Sequence, residues 1–217
     1  MKKELFLNKI ANNVLTLLNE EGRNIVSKRS LNSPRAIGDA VQSFLSEHCG
    51  LQRCIPKNEL LSFESDFERR SMEDMAFYDR EKNYYAVDCK THNESTVFNM
   101  PNLISVRRLA NFYRNDTNTF CILLVAYDIE NDFISYKECY FKPIESFSWD
   151  CLTIGALGWG QIQIANANVL KFVPEPSRKE WMLQLCNNLE VFYDEEISKI
   201  GERKIWFNDI KEYWLKR

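Results

Sequence analysis

The chain has 217 residues, 45% apolar and 27% charged, an ordinary globular composition that excludes disordered, collagenous and disulfide-scaffold classes. Its 28 Lys and Arg against 31 Asp and Glu give a formal charge of −3. This excludes nucleic-acid binding through a global cationic excess but leaves room for a local basic surface. No stretch approaches the roughly 20 apolar residues of a membrane span, and Asn8, Lys9, Asn12 and Asn13 interrupt any apolar core after the N-terminal lysines. With seven scattered cysteines, these features predict one domain over residues 1–217, cytoplasmic, with reduced thiols and no membrane contact.

Leu5, Ile10, Val14, Leu17 and Leu18 recur at helical spacing before Gly22, predicting a first helix over 5–18. Ser33-Pro34 opens a second, carrying Ile37, Val41, Phe44 and Leu45 and ending before Gly50. From Asp74 the period changes. Asp74–Asp79 and Tyr84–Lys90 predict two strands of a hairpin closed by Arg80-Glu-Lys-Asn83. Residues 102–114 look helical, with Leu103, Val106, Leu109 and Phe112. Thr119–Asp128 reads as a central strand covered on both faces, followed through Glu130-Asn-Asp132 by a strand over 133–141. Gln161–Ile164 is a short alternating strand. Ser177-Arg-Lys-Glu180 is a capping box opening a helix expected to stop by Gly201, with a final short helix carrying Trp206, Ile210 and Trp214. This order predicts a mixed α/β domain with a central sheet.

Chemistry concentrates at the hairpin. Asp88 and Lys90, two apart on a strand, share a face. If the hairpin closes as expected, Asp74 lies beside Asp88, so two carboxylates and an ammonium converge at one sheet edge. Oxygen ligands of this kind suit Mg²⁺, although a salt-bridged strand end has the same composition.

Asp74…Asp88-Cys89-Lys90 is similar to the metal site of the PD-(D/E)xK nuclease superfamily. Val87-Asp-Cys-Lys-Thr-His-Asn93, Met100-Pro-Asn-Leu-Ile-Ser-Val-Arg-Arg-Leu-Ala-Asn111, Gly160-Gln-Ile-Gln-Ile164 and Arg178-Lys-Glu-Trp181 follow in order. They resemble type II restriction endonucleases of the HincII and HpaI kind, and Ala36–Gln42 resembles the early helix of such nucleases.

The resemblance, covering most of the chain after residue 35, implies a PD-(D/E)xK core with a central mixed sheet flanked by helices. It also implies Mg²⁺-dependent cleavage of double-stranded DNA at a palindromic site, with blunt, 5′-phosphate ends. Mn²⁺ would substitute, and Ca²⁺ would support binding without cleavage. The same resemblance implies a homodimer, and the biology of such enzymes implies a cognate DNA methyltransferase in the host; the candidate contact surfaces are the N-terminal helical part (about residues 1–50) and the tryptophan-rich C-terminus. Asp74 and Asp88 would ligate the metal, Cys89 would offer its backbone carbonyl, and Lys90 would be the catalytic lysine. Asn102 falls in a base-reading Pro-Asn loop. Asn99 falls where the family wedges a glutamine between bases, with Met100 the next residue as a further DNA-contacting candidate. Asp39 falls where an early-helix acid supports the metal site. Two departures stand out: Glu73 replaces the motif's proline, and Asn99 replaces the glutamine.

The residues themselves agree with a DNA-reading surface, since Asn and Gln suit bidentate contact with adenine. Gln161 and Gln163 share one strand face and could equally be solvent-facing partners of buried Ile162 and Ile164. Arg107, Arg108, Arg114, Arg178 and Lys179 suit phosphate contact or an ordinary solvated face. Other readings stay open: a repair or junction-resolving PD-(D/E)xK nuclease, or a DNA-binding protein with a dead nuclease site. His48, Cys49 and Cys54 form at most part of a zinc site. Cys89 and His92 have the residue types of a thiol nucleophile and its base, but the alternation turns Cys89 away from Asp88 and Lys90 and toward a core.

Overall fold

The computed structural model describes residues 3–47, 50–68 and 71–217. His48 and Cys49 of the zinc candidate lie outside these residues. The fold is α/β, a mixed central sheet flanked by helices. In chain order the elements are α1 (Lys3–Glu21), α2 (Pro34–Glu47), α3 (Gly50–Cys54), β1 (Leu60–Glu64), β2 (Met75–Asp79), β3 (Tyr84–Asn93), β4 (Asn102–Ser105), α4 (Val106–Phe112), β5 (Asn118–Glu130), β6 (Phe133–Pro143), β7 (Leu152–Gly155), β8 (Gln161–Ile164) and α5 (Arg178–Leu215).

The five-stranded sheet runs β1-β2-β3-β5-β6, antiparallel except where β3 and β5 run parallel. Alternation along β3 and β5 divides the core in two. Tyr85, Val87 and Cys89, with Cys121, Leu123, Val125 and Tyr127, pack against the apolar faces of α1, α2 and α3. Ala86, Phe120, Ile122 and Leu124 face the other way, toward α4, a second, three-stranded antiparallel sheet β4-β8-β7 and the start of α5. Burying both faces of β5 gives the unbroken apolar run from Phe120 to Tyr127 its cause. The turns obey local rules as well. Asp79 accepts from the Asn83 backbone N–H at 2.8 Å and from its side chain at 2.9 Å, and Asn131 and Asp132 take positive φ between β5 and β6.

Several expectations need correction. Residues 102–105 form a strand rather than the first turn of a helix, because Asn102–Ser105 pair with β8. α4 therefore begins at Val106, and Arg114 lies beyond its end. β1, β7 and α3 carried no sequence signal strong enough to predict. α5 runs through Gly201 without a break, so the two predicted C-terminal helices are one of 38 residues. Its start is as expected, since the Ser177 side chain accepts from the Glu180 backbone N–H at 3.3 Å. Among the described residues no helix is long and apolar enough to cross a membrane.

Candidate active site

The hairpin brings the predicted residues together. The Asp74 backbone N–H donates to the Val87 carbonyl at 2.9 Å, extending the β2–β3 ladder by one residue and setting Asp74 beside Asp88. Asp74 Oδ2 accepts the Cys89 backbone N–H at 2.8 Å. Its Oδ1 accepts from Gln42 Nε2, also at 2.8 Å. Lys90 Nζ lies 2.5 Å from Asp88 Oδ1 and 3.5 Å from the Cys89 carbonyl oxygen. Two carboxylates, one backbone carbonyl and one ammonium thus meet at a single locus, with Asp88 only 6% exposed.

Burial dominates the electrostatics. It raises Asp88 to about 7, against the attraction of Lys90 and with help from the neighbouring Asp74 charge. Asp74 is also raised by burial, although the Cys89 amide and Lys90 pull the other way. For Lys90, burial opposes the charge, but the Asp88 carboxylate outweighs it and the net shift is upward.

One atom bears directly on a cation. Asp88 Oδ2 is buried and has no hydrogen-bond partner among the described residues. An unsatisfied buried carboxylate oxygen is costly, and a divalent cation held with Asp74 and the Cys89 carbonyl would satisfy it. The donor set is all oxygen, which suits a hard cation such as Mg²⁺ or Mn²⁺ better than zinc. Among the described residues no cluster of three or more His, Cys, Asp and Glu side chains gathers anywhere, so any cation here would rest on two carboxylates, a carbonyl and water.

The remaining candidates divide. Cys89 faces the α1–α3 core, where burial holds its thiol well above the usual range, while His92 lies on the opposite face of β3; no thiol–base pair exists there. Asp39 is exposed and sits 3.8 Å from Arg35. The α2 side chain that touches Asp74 is Gln42, one turn further on, which residue type alone gave no reason to choose. Glu73, in the place of the motif's proline, accepts the Tyr84 hydroxyl at 3.0 Å.

The base-reading candidates lie on the β4–β8 ladder or in the segment leading into it. Asn99 Nδ2 lies 3.3 Å from His92 Nδ1. Met100 is exposed. Asn102 pairs with Gln163 across the β4–β8 ladder, and Gln163 Nε2 donates to Asn102 Oδ1 at 2.5 Å. Gln161 sits opposite Ser105 on one side and Gly155 on the other. Ile162 and Ile164 fill the core beneath, as the alternation predicts. Arg107 stacks 4.9 Å over the exposed Trp159 ring, and Arg108 is exposed on α4. Arg178 is occupied in holding α5 to the body, through Glu145 at 3.3 Å and the Asp116 carbonyl at 3.2 Å.

No protein-family model and no curated protein matches this sequence.

Proposed function

We propose that this protein is a Mg²⁺-dependent type II restriction endonuclease with a PD-(D/E)xK core, making double-strand breaks in DNA at a palindromic site. The observation that carries the reading is the meeting of Asp74, Asp88 and Lys90, with one buried Asp88 oxygen left unpaired. Asp74, Asp88 and the Cys89 carbonyl would hold the cation, with Mn²⁺ as a substitute and Ca²⁺ supporting binding only. A bound cation there would acidify a coordinated water and neutralise charge developing on the phosphate.

The chain's own side chains do the rest. Asp88 fixes the Lys90 ammonium, which offsets the two carboxylates and donates to a phosphate oxygen where negative charge develops. The water oxygen bonds to phosphorus as its proton passes to surrounding solvent, the P–O3′ bond breaks, and the 3′ oxygen takes a proton from solvent. The products are a 5′-phosphate and a 3′-hydroxyl, blunt across the two strands. Asn99, Met100, Asn102, Gln161 and Gln163 would face base edges, and Arg107 and Arg108 the phosphates. Palindromic sites call for a two-fold homodimer, and such an enzyme needs a methyltransferase partner to protect host DNA.

Incubation of the purified protein with a large sequenced viral DNA, with Mg²⁺ or EDTA and beside Asp88→Ala, tests this. Discrete fragments with Mg²⁺ alone, absent in the variant, are expected. Structure-dependent nicking would point instead to a repair or junction-resolving nuclease. Sequence-specific binding in Ca²⁺ with no cleavage in Mg²⁺ would mark a catalytically dead DNA-binding protein.

A further inference from the structure

β3 does not end with Lys90. Its next residue on the same face, His92, is 4% exposed, and both ring nitrogens are engaged. Nε2 lies 2.6 Å from Asn168 Oδ1, and Nδ1 lies 3.3 Å from Asn99 Nδ2. The proton positions follow from the outer partners. Asn168 Nδ2 is 2.8 Å from the Thr96 carbonyl and 3.1 Å from the Val97 carbonyl, which only accept. Asn168 therefore turns its oxygen to the ring, so Nε2 carries the hydrogen and Nδ1 accepts from Asn99.

This matters because of what the contacts span. Residues 94–101 connect β3 to β4 and carry Asn99 and Met100. Val97 is 90% exposed and Phe98 56%, so the stretch gains little from burial. Polar links hold it: at its ends the Glu94 N–H to the Tyr127 carbonyl at 3.0 Å, Ser95 Oγ to Asp128 Oδ1 at 2.9 Å and the Ile164 N–H to the Pro101 carbonyl at 3.1 Å, and between them the Thr96 N–H to the Asn93 carbonyl at 3.0 Å, the Ala167 N–H to the Asn99 carbonyl at 2.8 Å and the His92–Asn168–Asn99 cluster.

We propose that His92 is a positioning residue that, through Asn168 and Asn99, fixes the 94–101 segment relative to Asp88 and Lys90, registering base reading with phosphodiester cleavage on one strand. The registering half rests on the nuclease reading above; the anchoring half does not. A misplaced contact remote from the reacting atoms can cost about a hundredfold in rate, so a built-in anchor of this kind has a purpose.

The test uses the full chain as wild type, His92→Phe, His92→Gln and Asn168→Ala. Hydrogen exchange on the free proteins reads the anchor. The Thr96 and Ala167 amides should exchange about tenfold faster in His92→Phe and Asn168→Ala, with β5 amides unchanged. His92→Gln, which retains a donor toward Asn168, should recover part of the protection. On DNA, the ratio of kcat/KM for the wild type's preferred duplex to that for a one-base-pair variant should fall about tenfold in His92→Phe. It should rise again in His92→Gln, with the Mg²⁺ midpoint unmoved.

Unchanged exchange in both His92→Phe and Asn168→Ala overturns the anchor, and Asn168→Ala serves alone if the histidine variant does not fold. Faster exchange with an unchanged ratio overturns the registering role. A wild type that neither binds nor cuts DNA overturns the nuclease reading and the registering role with it, while exchange still decides the anchor.

Discussion

Gln42 Nε2 donates to Asp74 Oδ1 at 2.8 Å, tying α2 to the first carboxylate of the site. Asp74 is bonded in turn to the Cys89 backbone N–H through its other oxygen. Helix, first carboxylate and active strand are therefore one unit. Gln42 holds Asp74 still without adding charge to a locus where both carboxylates already resist ionisation.

Gln42→Ala should accordingly cost about 1 kcal/mol of stability and raise the Mg²⁺ concentration needed for half-maximal cleavage several-fold. Gln42→Glu should do worse at the active site, since a third carboxylate faces Asp74. Thermal melts and Mg²⁺ titrations of the two variants check this. An unchanged Mg²⁺ midpoint in Gln42→Ala would remove the glutamine from the site.

The raised Asp88 carboxyl makes a pH prediction. Folded, Asp88 binds its proton up to about pH 7; its ordinary value is 3.8. Between those values the folded state holds the extra proton, so this group's contribution to stability falls as pH rises. In EDTA the protein should lose stability from pH 4 toward 7, and Asp88→Asn should flatten that slope. The stabilisation conferred by Mg²⁺ should grow between pH 6 and 8, as the carboxylate ionises and takes the cation. Melting curves across this range, with EDTA or Mg²⁺, read both effects.

Gly155 offers a way to move Gln163, one of the proposed base-reading side chains. A Cβ there would stand 2.6 Å from Gln163 Oε1 and 2.9 Å from its Cδ. The flexible amide would have to swing away, breaking its contact with Asn102. Gly155→Ala should therefore melt within about 1 kcal/mol of wild type yet bind DNA in Ca²⁺ with altered sequence preference. Fluorescence anisotropy on matched and mismatched duplexes measures the change.

α5 bears on assembly. Trp181 and Leu185 near its start are buried, whereas Trp206, Phe207, Tyr213 and Trp214 near its end are 58%, 64%, 49% and 66% exposed. The apolar face of α1 is spent inside the chain, on Phe6, Leu7, Ile10, Val14 and Leu18. Large exposed aromatic groups of this kind mark contact surfaces. Sedimentation velocity is expected to show a dimer, with Phe207→Asp plus Trp214→Asp shifting it to monomer. A dimer unaffected by that double change would place the contact elsewhere.

What could be read from sequence follows a physical line. Strong period and strong caps survive into the structure: α1, the proline-started α2, the β2–β3 hairpin, the doubly buried β5 and the Ser177 cap. Asp74, Asp88 and Lys90 could be placed together because two-residue alternation and hairpin closure are local rules. β1, β4 and β7 are only four or five residues long and take their form from the neighbouring strand, so tertiary pairing overrode the helical spacing of Leu103 and Val106. Gly201 looks like a stop in sequence, but a glycine inside a helix costs only about 1 kcal/mol, and the residues around it continue the helix. Gln42 and Asn168 act through contacts 32 and 76 residues away in the chain, and no spacing rule reaches so far.

The parallel pairing of β3 with β5 runs unbroken from Tyr84–Asn118 to Asn93–Tyr127. With no bulge to absorb slack, β3 behaves as a ruler. Each residue advances about 3.3 Å, nearly the ~3.4 Å step between stacked bases. Asp88 and His92 mark two graduations on one edge of it. The separation of Asp88 from His92 is therefore a length written into this strand. Two residues inserted between Asp88 and His92 would keep every side chain on its own face while carrying His92 roughly 6.6 Å further from Asp88, at the cost of the register with β5.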